Sequence, residues 1–144
     1  MSLLLKSIET STQDLTFELL GILANLTIPD FDYHKLVTSY NLLDVLAKVM
    51  QQSLSQSSES KDSGGLDESD DVLLECIMTL GTLAEDESIA PLIVASPILE
   101  LLVECMIVKD EDDEMILQLC FTIYQFLSHE ETCHVLIKIP RTLF

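Results

Sequence analysis

Cys76-Ile-Met-Thr-Leu-Gly-Thr-Leu-Ala-Glu-Asp-Glu-Ser-Ile-Ala-Pro-Leu-Ile93 returns in outline as Cys120-Phe-Thr-Ile-Tyr-Gln-Phe-Leu-Ser-His-Glu-Glu-Thr-Cys-His-Val-Leu-Ile137. The offset is 44 residues, with Cys76 on Cys120, Leu83 on Leu127, Glu87 on Glu131 and Ile93 on Ile137. A third copy lies upstream, where Leu20-Gly-Ile-Leu-Ala24 aligns with Leu80-Gly-Thr-Leu-Ala84 at an offset of 60. Further on, Asn41-Leu-Leu-Asp-Val-Leu46 aligns with Pro97-Ile-Leu-Glu-Leu-Leu102 at an offset of 56. A repeat of this length marks a stack of supersecondary units, each burying its apolar face against the next.

Each copy reads as helix. In the first, apolar residues at 15, 19, 22, 23 and 26 recur at helical spacing, and Pro29 ends the segment because the residue before proline avoids the αR region. A short helix is expected over 34–40. Asn41 is placed to cap a longer one from Leu42 to about Ser53, with Leu42, Leu43, Val45, Leu46, Val49 and Met50 inward. Residues 53–69 are rich in serine and acid and nearly free of large apolar groups, the composition of a flexible loop. The second unit is read as a helix over 71–84, a short one over 89–94, and a third opened by Ser96 and Pro97 and reaching Val108. Asp110–Glu114 is an acidic turn feeding a helix over 113–128, and a short helix follows over 131–139. The units are therefore 13–54, 70–108 and an incomplete 113–144. One short and two long helices per unit is the armadillo pattern, so the expected fold is all-α, a right-handed superhelical armadillo-repeat solenoid of about two and a half repeats.

Composition agrees. A chain of 144 residues with 48% hydrophobic content can form one core, and with no Trp and 6% aromatics that core is aliphatic. Cys76 and Cys120 occupy equivalent repeat positions among apolar neighbours and read as small buried hydrophobes. The net charge of −18 repels phosphate backbones and anionic lipid, so nucleic acid and membrane surfaces are not expected partners. No stretch reaches the length of a membrane span, and the N-terminal residues lack the pattern of a secretory signal. The expected location is cytoplasmic.

Chemistry has little to stand on. His129-Glu-Glu-Thr-Cys-His134 invites a metal reading through His129, Glu130, Cys133 and His134. Its histidines are five apart, whereas a helical zinc pair needs four to share a face, and a polar helix junction is the simpler reading. The acidic run 110–114 lacks the glycine and ligand alternation of a calcium loop. There is no nucleophile elbow and no phosphate-binding loop. No catalysis, cofactor, metal or small-molecule substrate is expected.

The third helix of each armadillo unit lines the groove in arrays of this kind, and peptide-binding members place Trp and Asn four residues apart there. In this chain the Asn position reads Asn25, Glu85 and His129, and the Trp position reads Gly21, Gly81 and Gln125. These six are the candidate protein-binding residues. With no Trp ladder, a groove floored by glycine and edged by acid suits a helix or packed domain better than an extended basic peptide. Close helix packing is the competing role for the two glycines.

Glu18-Leu-Leu-Gly-Ile-Leu-Ala-Asn-Leu-Thr-Ile-Pro-Asp-Phe-Asp-Tyr33 resembles the kinesin-associated protein family, the non-motor subunits of heterotrimeric kinesin. Leu80–Ser88, Glu111–Glu114 and Tyr124–His129 agree with it, and the resemblance covers most of 13–138. Members are much longer, so the chain is expected to be a fragment or truncated form. The resemblance implies a non-catalytic adaptor that binds the tail region of kinesin motor subunits. It further implies links to cargo adaptor proteins in microtubule-based and intraflagellar transport, and a cytoskeletal, ciliary location. The alternative is a generic armadillo scaffold that recognises peptides, of the import or junctional type.

Overall fold

The computed structural model describes residues 7, 13–25, 32–59 and 68–137. Among these residues there are eight helices and no strand. They are α1 (Gln13–Ala24), α2 (Tyr33–Tyr40), α3 (Leu42–Glu59), α4 (Glu68–Leu83), α5 (Ala90–Val94), α6 (Ile98–Val108), α7 (Asp113–Ser128) and α8 (Glu130–Leu136).

Short polar caps set the boundaries. The Asp32 carboxylate accepts from Lys35 N at 2.8 Å to open α2, and the Asp112 carboxylate accepts from Met115 N at 3.0 Å to open α7. The Ser96 hydroxyl accepts from Ile98 N at 3.3 Å and donates to Ile93 O at 2.7 Å, so one side chain closes α5 and opens α6. Asn41 differs from its expected role. It closes α2 in the left-handed conformation, φ 54°, where asparagine tolerates what branched residues do not.

The helices pack in rows. α1, α4 and α7 lie side by side, α3 lies against α6, and α5 against α8. Contacts of α4 with α3, α3 with α2, and α5 with α6 tie the rows together. The sequence repeat appears directly in this packing. The Thr122 hydroxyl reaches Ile77 O on α4 and the His129 ring reaches Ala84 O, both across a separation of 45 residues. Helices α4 and α7 therefore run parallel, one repeat apart, as in an armadillo-like solenoid. At the far end of α4, the Lys109 ammonium donates to the Asp70 carboxylate and holds the α6–α7 turn against the helix start.

The core is a single aliphatic cluster running from Leu20 to Phe126. Helix α4 lies at its centre: Val72, Leu73, Cys76, Ile77, Leu80, Leu83 and Ala84 are all buried. A helix covered by α1, α3 and α7 is apolar on most of its circumference.

Three expectations need correction. Helix α3 continues to Glu59, so 53–59 are helical where a loop was expected. Leu54 falls four residues after Met50 and extends its buried stripe, Ser53 is buried beside it, and the Ser55 hydroxyl folds back to Gln51 O within the helix. Residues 60–67 lie outside the described residues. Of the apolar series in α1, Leu23 is buried and Leu19 packs against the core, but Leu15 and Ile22 turn outward and Thr16 and Leu20 are buried instead. Cys120 is exposed, unlike its repeat partner Cys76. A helix covers the Cys76 side of α4, and among the described residues no helix does the same for α7.

The α1–α4 seam holds one ill-matched group. Glu75 of α4 faces Gly21 of α1, with its carboxylate 3.7 Å from where a Cβ would stand. Its Oε2 is buried with no hydrogen-bond partner among the described residues. Burial, then the negative charges of Asp71 and Glu18, raise its pKa above the ordinary 4.5. The folded chain thus holds this proton more tightly than the unfolded chain, and ionisation at neutral pH opposes folding.

Two measurements follow from this packing. Burial pushes the Cys76 thiol up, and burial followed by the Glu104 charge pushes Cys105 up to about 12. Native-state alkylation read by mass spectrometry should therefore modify Cys120 first and Cys133 next, and reach Cys76 and Cys105 only on unfolding. Labelling of Cys76 as fast as Cys120 would contradict the packing of α4. The second is thermal melting of Glu75→Gln. The substitution should raise the melting temperature at pH 7, and the gain should fade as pH falls through the raised folded-state pKa and be gone below about 4.5, where the carboxyl is protonated in both states. An equal gain at every pH would assign the effect to something other than this charge.

Candidate protein-binding face

The six candidate residues sit on the row α1–α4–α7, at or just beyond the C-terminal end of each helix. Parallel packing puts those ends on the same side of the row for α4 and α7, and the His129–Ala84 contact joins them.

At the Asn position the three helices differ. Asn25 is exposed, and its side-chain amide donates to Gly21 O of its own last turn at 2.8 Å. Glu85 is exposed in the turn after α4. His129 is half-buried between α7 and α8, with Nε2 2.8 Å from Ala84 O. A carbonyl oxygen only accepts, so the ring proton resides on Nε2. The ring therefore satisfies one of the carbonyls that the end of α4 leaves unpaired. Thr132 completes this junction: its hydroxyl donates to Phe126 O and to His129 O, and the residue is fully buried.

The next turn carries a charge-stabilised bend. Asp86 accepts from the Ser88 hydroxyl at 2.7 Å and from Ser88 N at 2.8 Å. The hydroxyl bond is the main cause holding its pKa below the usual value. Glu85, Asp86 and Glu87 thus present an acidic edge beside His129.

The two glycines part company. Gly21 is half-buried with room above it, whereas Gly81 is buried beneath α7. A Cβ at Gly81 would stand 3.0 Å from the Thr122 hydroxyl and 3.1 Å from the Phe121 ring. Close approach of α4 and α7 needs that glycine, and it offers no surface to a partner. Gln125, its counterpart on α7, is half-buried. Among the described residues, no three His, Cys, Asp or Glu side chains gather as metal ligands would. His129 and His134 do not converge into such a set, and the acidic run 110–114 lines an open cleft with Asp70 and Lys109. No helix among the described residues is long and apolar enough to cross a membrane.

Sequence reasoning placed the row and its edge and offered close helix packing as a role for both glycines, which holds for Gly81; it did not separate the covered Gly81 from Gly21, nor did it see the internal pairing of His129. The signal for the former was bulk at 121–122 opposite the glycine, which is legible only once α7 is known to lie on α4. Thermal stability separates the two glycines. Gly21→Ala should stabilise by about 0.5–1 kcal/mol, the ordinary helical gain over glycine. Gly81→Val should destabilise by about 1–3 kcal/mol through overpacking against α7. Equal effects at the two sites would overturn this distinction.

No solved structure matches the chain. A family model described as kinesin-associated protein (KAP) matches residues 2–143. That match spans all eight described helices and shows that the chain belongs to the kinesin-associated protein family.

Proposed function

We propose that the chain is a non-catalytic adaptor segment that binds the tail region of kinesin motor subunits and connects them to cargo adaptor proteins. The observation that carries this reading is the family match across the whole helical stack. In this reading the repeat units are about 13–54, 70–108 and an incomplete 113–144, and α3 runs on past the first bound to Glu59. The protein acts in the cytoplasm on the cytoskeleton, and in ciliated cells it serves intraflagellar transport. The binding edge is built from Asn25, Glu85, Gln125 and His129, with Gly21 leaving space on α1; Gly81 contributes by bringing α7 close.

Charge and geometry favour a partner with a basic patch on a folded or helical segment. The net charge of −18 steers cations toward the chain, and Glu85–Glu87 concentrate that charge at the edge. An extended basic peptide held by an Asn–Trp ladder is disfavoured, since the chain has no Trp and Asn25 turns its amide to its own helix.

Binding of purified motor-subunit tail segments, set beside basic localisation peptides, tests the reading. Tail binding that weakens with salt, and that falls several-fold in Glu85→Lys, is the expected result. Capture of localisation peptides with no binding to tails would favour the import-type scaffold instead.

A further inference from the structure

Helix α4 has a neighbour in the row on each side and α3 behind it, yet one strip of its surface stays open. Along α4, Glu75 faces Gly21 of α1, and Gly81 faces Thr122 and Phe121 of α7. Successive helix residues turn by about 100°, so Leu73, Cys76 and Leu80 point away from both flanks into the core, where all three are buried. Asp71, Leu74, Met78 and Thr82 fall on the remaining arc, between Gly81 and Glu75. From 71 to 84, these four and Glu75 are the residues that escape burial. The strip is the floor of a trough with α1 and α7 as its walls, and contacts inside the array set it.

The two sides of the trough differ. Toward α1 it is acidic, with the charges of Asp71 and Glu18 both bearing on Glu75. Toward α7 it is apolar: Leu74 and Met78 are half-buried, and the Phe121 ring lies over Gly81 while remaining 43% exposed. None of these residues is basic. Glu75 Oε2 is buried without a hydrogen-bond partner among the described residues, a state that costs folding free energy. Gly21 leaves room over this carboxylate, whose atoms lie 3.7–3.8 Å from where a Cβ would stand. A guanidinium or ammonium carries donors and positive charge, which are the two things the site lacks.

We propose that this trough receives an amphipathic helix of a protein partner, its apolar side chains on Leu74, Met78 and Phe121 and one of its arginines or lysines answering Glu75 over Gly21. This contact presupposes the adaptor role proposed above, and it holds for any helical partner of that chemistry, motor tail or not. The apolar stripe supplies area, and the acidic wall sets which way round the helix lies. Folding and binding therefore pull in opposite directions at two positions. Glu75→Gln relieves the free chain of an unpaired charge and removes what the partner's cation seeks. Gly21→Ala favours the helix, and its methyl occupies the space over the carboxylate.

Fluorescence anisotropy on the full chain tests this with three designed peptides. The first is an amphipathic helix with leucines at i, i+4 and i+7 and a flanking arginine. The second replaces that arginine by citrulline, its neutral isostere, and the third breaks the helix with two prolines. The arginine helix should bind wild type about tenfold more tightly than Glu75→Gln, the worth of one charge-assisted hydrogen bond. The citrulline helix should bind both alike. Gly21→Ala should weaken the arginine helix several-fold while its melting temperature rises, so the loss is not one of fold. Met78→Lys should weaken both helices; circular dichroism checks its fold, and Met78→Ala serves if helix is lost. No binding of the arginine helix, equal binding by wild type and Glu75→Gln, or equal binding of the proline-broken peptide would overturn the proposal. Motor-subunit tail segments run in parallel keep the two readings apart. Tails that bind wild type and Glu75→Gln alike would overturn this site and leave the adaptor role standing. An arginine helix held through Glu75, with no tail bound, would uphold the site and overturn the motor partner.

Discussion

Every helix of this protein depends on α4 being enclosed. It is the middle helix of the row, with α1 on one side, α7 on the other and α3 behind. Its buried residues fall at nearly every step of two turns, Cys76, Ile77, Thr79, Leu80 and Gly81 among them. A helix so apolar has no stable solvent-facing state, so its neighbours are recruited to it. The glycine at position 81 sets how near α7 can come, and the hydroxyl of Thr122 and the ring of His129 then satisfy polar atoms along the line of contact. The fold is a chain of such nearest-neighbour contacts, joined into the one aliphatic cluster that runs from Leu20 to Phe126.

This mode of stability explains where the odd groups sit. Glu75 is carried into the α1–α4 seam because the residue across from it is Gly21, which leaves space for a carboxylate but no donor. The end helices keep apolar residues on their outer sides for the same reason that α4 keeps them inside: the repeat pattern is written for a helix with two neighbours. An exposed apolar side chain at Leu117 or Tyr124 thus continues the repeat pattern on a helix that, among the described residues, has a neighbour in the row on one side.

The architecture also limits what the protein can do. A row of parallel helix ends with an acidic border offers area and charge, and its polar groups are largely spent on capping. His129, the residue that most invites a chemical role, donates its Nε2 proton to a backbone carbonyl. Membership of the kinesin-associated protein family supports an adaptor role in general, and such a surface is compatible with it.

Much was legible in the 144 residues alone. Self-alignment at 44 set the helices and their order, because apolar spacing at 3.6 residues and short polar caps are local signals. The same alignment marked the row of third helices and the candidate positions on it. What it did not contain is which apolar face turns inward. Leu15, Ile22 and Leu23 all belong to the apolar series of α1, yet only Leu23 of the three is buried, beside Thr16 and Leu20. Cys76 and Cys120 occupy one repeat position with opposite exposure, and serine-rich 53–59 is helical because Leu54 reaches the core. In each case the local pattern is compatible with either outcome, and burial is decided by whether a neighbouring helix lies on that side.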